Sequence, residues 1–186
     1  RKGEGGGKST FDNWSTYSHI DYLAKVNARV PHLKYKTAVR RGINWILSVQ
    51  NMDSGGFAGI DVDSVTYNDD VMSGVLGTLK EIYLNDKLYG FLDDELRKKA
   101  DEAYDRGIAC ILRSQIKIDG KLTAWGQQHD HKTLEPIWAR DYEPPSITAN
   151  ETVGVLQLLM GIENPPVEVT NAVVAGCEWL DEVRIK

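Results

Sequence analysis

Apolar residues return at helical spacing in pairs of stretches along this chain. Val71, Val75, Leu79 and Ile82 share one face, and Leu96, Ala100, Ala103, Gly107 and Ile111 share another, the period of an amphipathic helix laid against a core. Strand-like alternation is nearly absent. The pattern also repeats: RGINWILSVQ, RGIACILRSQ and AGCEWLDEVR carry a glycine at Gly42, Gly107 and Gly176, spaced 65 and 69 residues apart, each followed by the same apolar helix. Fixed spacing of this kind marks a repeat architecture. A helix-interior glycine costs about 1 kcal/mol relative to alanine, so its recurrence implies close helix packing. Each of these helices follows another amphipathic stretch: Trp14 to Val30, Asp70 to Leu84, and Glu151 to Ile162. The expected fold is all-α, three helical hairpins closing into a ring, with residues 1–10 a flexible lead-in and 11–186 one domain. Asn164 before Pro165 reads as a helix N-cap and Asn85 as a position near a helix end.

Such a ring puts the start of each hairpin's first helix on one rim, together with the loops Asn51 to Tyr67 and Lys117 to Ala149. Three polar starts then converge there: Asp12-Asn13, Asn68-Asp69-Asp70 and Asn150-Glu151. The longer loop lacks helical periodicity yet holds Trp125, Gln127, His129, Asp130, Trp138, Arg140, Tyr142 and Glu143. Loops of that length inside a compact domain are usually functional or disordered, and this one is too aromatic for a disordered linker. Helix capping accounts for one acidic residue per start. It does not account for three consecutive polar residues at Asn68, Asp69 and Asp70. Adjacent carboxylates repel unless a cation joins them, and calcium, a hard ion that takes 6 to 8 oxygen ligands, is the natural candidate. No Cys or His spacing supports zinc. Trp125 and Trp138 are read either as plugs over the core or as ligand platforms, and His129 either as a hydrogen-bonded loop anchor or as a groove residue.

Composition narrows the function classes. The 186 residues are 41% hydrophobic and 26% charged, enough for one domain with a proper core. A formal net charge of −5 offers no footprint for nucleic acid, and no apolar stretch approaches the roughly 20 residues that span a bilayer. Cys110 and Cys177 fall in helical patterns and read as small core residues. No nucleophile elbow or phosphate-cradling loop is present, and no signal peptide is seen, which leaves secretion open.

FDN at Phe11 to Asn13, TYNDDVM at Thr66 to Met72, DGKLTAWGQQHD, TLEPIWARDYEPPSI and NETVGVLQLLMGIENP, in that order, resemble the pectate lyases of polysaccharide lyase family 10. The resemblance covers most of the chain, and its W-x-x-Q-H-D and A-R-x-Y-E-x-P-S elements are its most specific parts. It implies an α/α toroid, calcium as cofactor, and cleavage of polygalacturonate by anti β-elimination. Position by position it implies that Arg140 removes the C5 proton, that Asp69 binds calcium, and that Asp12 is another acidic residue of the centre. Asp70 joins them as a candidate ligand. Arg113, Lys121, Trp125, His129, Asp130 and Tyr142 become candidate substrate contacts. A secreted monomer acting on pectate is the expectation, with a non-catalytic relative that binds acidic polysaccharide as the alternative. The chain departs from the family pattern in the short AGIDVDSV loop, in Trp14-Ser15 after FDN and in Gly126. It is also shorter than the family's modules, lacking an N-terminal helical portion and a later segment of basic substrate contacts. Gln50 to Phe57, QNMDSGGF, faintly resembles the Q-x-x-x-G-x-W repeats that act as structural staples in terpenoid-type α/α toroids.

Overall fold

A computed structural model describes residues 9–59 and 63–185. The lead-in expected over residues 1–10 therefore lies, up to residue 8, outside the described residues, as does the middle of the AGIDVDSV loop. Among the described residues there are seven α-helices: α1 Tyr17–Arg29, α2 Leu33–Val49, α3 Val71–Leu84, α4 Asp86–Tyr89, α5 Asp94–Ser114, α6 Ala149–Met160 and α7 Val167–Val183. The periodicity assigns their faces correctly. Val71, Val75, Leu79 and Ile82 are fully buried on α3, and Ala100, Ala103 and Ile111 are fully buried on α5. The fold class is all-α, as expected.

The hairpins are α1–α2, α3–α5 and α6–α7, arranged in two layers. The substantial contacts run from α1 to α3 to α6 on the inside and from α2 to α5 to α7 on the outside. The three repeated glycines are where the layers touch. A Cβ on Gly42 would stand 2.6 Å from Ile20 of α1, one on Gly176 would stand 2.9 Å from Leu156 of α6, and one on Gly107 would overlap Leu76 of α3. Each outer helix thus seats its glycine against the inner helix of its own hairpin, and the repeat seen in the sequence is a repeat of this contact.

Consecutive hairpins are stapled by glutamine. Gln50, at the end of α2, donates from Nε2 to the carbonyls of Gly55 and of Ala103 on α5, both at 2.8 Å. Gln115, at the end of α5, donates in the same way to Thr123 and to Ala172 on α7, both at 2.9 Å. Each buried amide thereby ties the end of one outer helix to the middle of the next.

Four short strands lie in the rim loops: β1 Ser64–Thr66, β2 Lys117–Ile118, β3 Lys121–Leu122 and β4 Gln128–Asp130. β1 pairs antiparallel with β4, Val65 opposite His129, and so ties the two rim loops together. Strands of two or three residues carry no alternation that a sequence pattern could reveal. One further boundary differs, and one is as expected. α7 begins at Val167 without a side-chain cap, while Asn164, expected as its cap, sits in left-handed backbone at φ 49°. Asn85 closes α3 and also caps the short α4, its side chain accepting from the Leu88 amide at 3.2 Å.

Candidate active site

Two tight turns on the rim carry the acids. Asp12–Trp14 and Asn68–Asp70 are both single 3-10 turns entered through a buried aromatic residue, Phe11 at φ −94° and Tyr67 at φ −95°. Each then swings into left-handed backbone twice, at Asn13 (50°) and Trp14 (57°) and at Asp69 (53°) and Asp70 (56°). This conformation is uncommon outside glycine; Asn and Asp tolerate it best, and it costs roughly 1–3 kcal/mol where it is forced. F-D-N-W and Y-N-D-D are therefore the same turn written twice, with Asp12 matched to Asn68, Asn13 to Asp69 and Trp14 to Asp70. The sequence presents the two starts as acidic but hides the shared backbone, because the aligned residues differ.

The turns pack side by side. The Trp14 indole Nε1–H donates to Oδ2 of Asp70 at 2.9 Å, and the Ser73 hydroxyl reaches Oδ1 at 3.5 Å. Asp70 is thus engaged toward α6, where a Cβ on Gly154 would meet Oδ1 at 3.2 Å. Below it a groove of about 460 Å³ opens between α1, α3 and α6, lined by Trp14, Tyr17, Asp70, Gly154, Gln157 and Leu158.

Arg140 stands in a tight turn of the long loop. Glu143 N–H donates to the Arg140 carbonyl at 2.8 Å, while the Glu143 carboxylate accepts the Arg140 amide at 3.2 Å and Nε at 2.7 Å, with Nη2 on its other oxygen. The pair is bidentate, the strongest geometry open to these groups. The Asn68 side chain lies near enough to Glu143 to help hold its carboxyl down, so the arginine turn stands beside the Asn68–Asp70 turn. Glu143 raises the Arg140 guanidinium above its already high range, with a smaller contribution from Asp69. In return the arginine holds the Glu143 carboxyl below its usual range. The Tyr142 ring lies 5.1 Å from the guanidinium carbon, and Tyr142 and Trp138 are both exposed. Glu143 and Asn68 are the residues that sequence reasoning passed over. The i, i+3 spacing of Arg140 and Glu143 is the signal that could have found Glu143.

The other candidates divide. Trp125 was weighed as a groove residue, but it is fully buried; its Nε1–H donates to the Ile111 carbonyl at 2.9 Å and its ring packs beside Gly176. It plugs the core. Trp125→Ala is expected to cost about 3–5 kcal/mol of stability, the range for emptying a buried aromatic site, measured by chemical denaturation. His129 is equally buried and acts as the loop anchor. Nε2 accepts the Gly126 amide at 3.0 Å, Nδ1 lies 2.8 Å from the Leu134 carbonyl, and burial lowers its pKa, keeping the ring neutral. Gly126 fits here because a Cβ would overlap the Ser146 carbonyl oxygen.

Asp130 caps its own loop, accepting from the amides of Lys132 at 2.8 Å and Thr133 at 2.7 Å, bonds that lower its pKa. Arg113 donates to the Ser54 and Asp53 carbonyls and braces the loop after α2. Lys121 is exposed on β3. The structure therefore brings together Asp12, Asp69, Asp70, Arg140 and Tyr142. Trp125, His129, Asp130 and Arg113 serve the scaffold.

The oxygen donors on the rim suit a hard cation, but the protein alone does not enclose one. Among the described residues no group of three or more His, Cys, Asp or Glu side chains gathers around a single point, and Asp70 already serves Trp14. Asp12, whose Oδ2 accepts from the Asn13 side-chain amide at 3.1 Å, and Asp69 lie in the two adjoining turns.

Two solved structures with this architecture are polysaccharide lyases. A Family 10 polysaccharide lyase from Cellvibrio cellulosa superposes with a TM-score of 0.87 at 31% identity, covering 96% of this chain and 58% of that one. An alanine mutant of a Family 10 lyase from the same organism, in complex with trigalacturonic acid, gives 0.86 at 30% identity, covering 92% and 56%. No match was found among curated proteins. The family model for pectic acid lyase matches residues 1–186. The chain belongs to the pectic acid lyase family, and it spans somewhat over half the length of the solved relatives. Among the described residues no helix is long and apolar enough to cross a membrane.

Proposed function

We propose that this chain acts in a calcium-dependent pectate lyase that cleaves polygalacturonate by anti β-elimination. The observation that carries this reading is the place of Arg140, paired to Glu143 within its own turn and near enough to the Asn68–Asp70 turn for Asp69 to act on its charge. The relative bound to trigalacturonic acid supports an acidic sugar polymer as substrate. In the proposed reaction a guanidine nitrogen of Arg140 takes the C5 proton of a uronate. The C5–H electrons form the C4–C5 double bond as the C4–O bond breaks, and the departing oxygen takes a proton from water. Asp12 and Asp69 would hold calcium jointly with substrate carboxylates and water, and the bound ion would withdraw charge from the uronate carboxyl and acidify the neighbouring C–H. Tyr142, stacked on the guanidinium, orients it and offers an exposed ring to the sugar. Because the substrate is a polymer outside cells, we place the protein there, acting as a monomer.

An arginine acts as a base only after losing a proton, and the pair with Glu143 opposes that loss. This sets a pH prediction. Glu143 raises the Arg140 pKa, so removing its charge lowers that pKa toward the ordinary arginine range. In Glu143→Gln the alkaline rise of the pH–rate profile therefore moves to lower pH, while kcat falls because the arginine is less firmly held. An unmoved profile would separate Glu143 from the proton transfer. The same pair also favours a second reading, a non-catalytic relative in which a permanently protonated Arg140 only binds uronate carboxylates. Retention on polygalacturonate with calcium, without unsaturated product from the unaltered chain, would select that reading.

A further inference from the structure

A second surface remains once the rim is assigned. From residue 22 to 52 the chain has no Asp or Glu, yet it carries Lys25, Arg29, Lys34, Lys36, Arg40 and Arg41, in a protein whose formal net charge is −5. These residues span the far half of α1, the turn that follows it, and α2. Among the described residues Arg40 is the one member of the six with an ion pair, to Asp93 at 2.7 Å. Lys34 and Lys36 instead lie over aromatic rings, at 5.0 Å from Tyr35 and 5.7 Å from Phe91.

The cations are ordered along the helix. Lys34, Thr37, Ala38 and Arg41 follow i, i+3, i+4, i+7 and form the exposed face of α2. With His32 and Leu33 they line a groove of about 450 Å³. Ala38 and Arg41 also line the adjoining groove of about 370 Å³, which continues past Trp45 to Ser9 and Thr16. From Lys34 to Trp45 the track is about 16 Å long at 1.5 Å per residue. It ends under the acid rim, since the Trp45 ring lies 4.7 Å from that of Phe11, the residue before Asp12. Spaced cations leading to a half-exposed indole suit a chain that alternates carboxylates with the apolar faces of sugar rings.

We propose that this face of α2 is a second binding track for a polyuronate chain, independent of calcium, which holds the polymer and feeds it toward the rim. The track takes the identity of its polymer from the pectate reading of the rim, but it needs neither the acid turns nor Arg140. Its field raises the local concentration of a polyanion, an effect of 10- to 1,000-fold in favourable cases, and salt screens it.

The test is retention on immobilised polygalacturonate with a chelator present, which silences any calcium site on the rim. The unaltered chain is expected to bind in low salt and to release in high salt, and to ignore fully methyl-esterified polymer. Lys34→Glu with Arg41→Glu is expected to weaken binding by about tenfold. Lys98→Glu with Lys99→Glu, the same change of charge on α5, leaves it unaltered. Helical circular dichroism monitors folding, and Lys34→Gln with Arg41→Gln replaces the reversed pair if that pair misfolds. Equal losses in both double variants, no loss in either, equal binding of the esterified polymer, or capture by anionic lipid vesicles in place of polygalacturonate would overturn the proposal. Loss of unsaturated product with this retention intact would count against the rim and not against the track.

Discussion

Arg140→Ala is expected to lower turnover of polygalacturonate by about 10²–10⁴-fold, the span that a positioned general base contributes, while leaving the fold unchanged. The side chain is about half exposed, and its ion pair is with a residue three positions away in the same turn, so no core contact depends on it. What it leaves behind is a buried carboxylate, Glu143, stripped of its cation. An unpaired buried charge is costly. Part of any stability loss in Arg140→Ala therefore belongs to Glu143, and Arg140→Ala with Glu143→Gln separates the two effects: stability recovers while activity stays low. Arg140→Lys keeps a cation but loses the bidentate fork and the stacking on Tyr142, and is expected to remain close to the alanine variant in rate. Initial rates at saturating substrate across the alkaline range check these outcomes.

The second large effect is expected at Asp69. Its carboxylate lies in left-handed backbone beside the Asp12 turn and close enough to Arg140 to influence its charge. In the proposed site Asp69→Ala removes one of the carboxylates assigned to the ion, and it puts into a left-handed turn position a residue that tolerates it less well. The calcium concentration giving half-maximal activity should rise by at least the roughly 10–100-fold that loss of an outer-shell partner costs a metal site. Asp70→Asn, by contrast, keeps an acceptor for the Trp14 indole and should change calcium dependence much less. The two substitutions distinguish a site built on Asp12 and Asp69 from one built on the adjacent pair Asp69 and Asp70. Titration calorimetry of calcium into the protein with trigalacturonate present reads the same difference without turnover.

The parts of this account that could be read from residues share a physical reason. Gly42, Gly107 and Gly176 were legible because helix packing punishes a Cβ at one point per hairpin, so three hairpins write the same letter three times. The buried faces of α3 and α5 were legible because burial follows a period that the sequence must display. Arg140, Asp12 and Asp69 are proposed through motifs and through an excess of polar residues beyond what capping requires, and the structure sets their turns near one another.

Other features left no such trace. Trp125 and His129 sit in the same loop as Arg140 and look equally chemical, and only the Ile111 and Leu134 carbonyls that receive them reveal that they hold the loop to the core. The pairing of β1 with β4 involves three residues on each side, too few for alternation to register. Glu143 was one polar residue among many in the long loop, and nothing in the sequence shows that its turn comes to lie beside the Asn68–Asp70 turn. The equivalence of the Asp12 and Asn68 turns is a likeness of backbone angles between unlike residues, and periodicity is blind to it.

The central claim is that Arg140 and the paired acid turns perform calcium-assisted elimination on pectate. The most direct measurement is the ultraviolet absorbance of the unsaturated product from polygalacturonate at alkaline pH, with calcium and with a chelator, for the unaltered chain and for Arg140→Ala. The account predicts a steady rise for the unaltered chain with calcium, none with chelator, and a rise reduced by at least about 10² in Arg140→Ala. No rise from the unaltered chain with calcium, or an equal rise from Arg140→Ala, would contradict it.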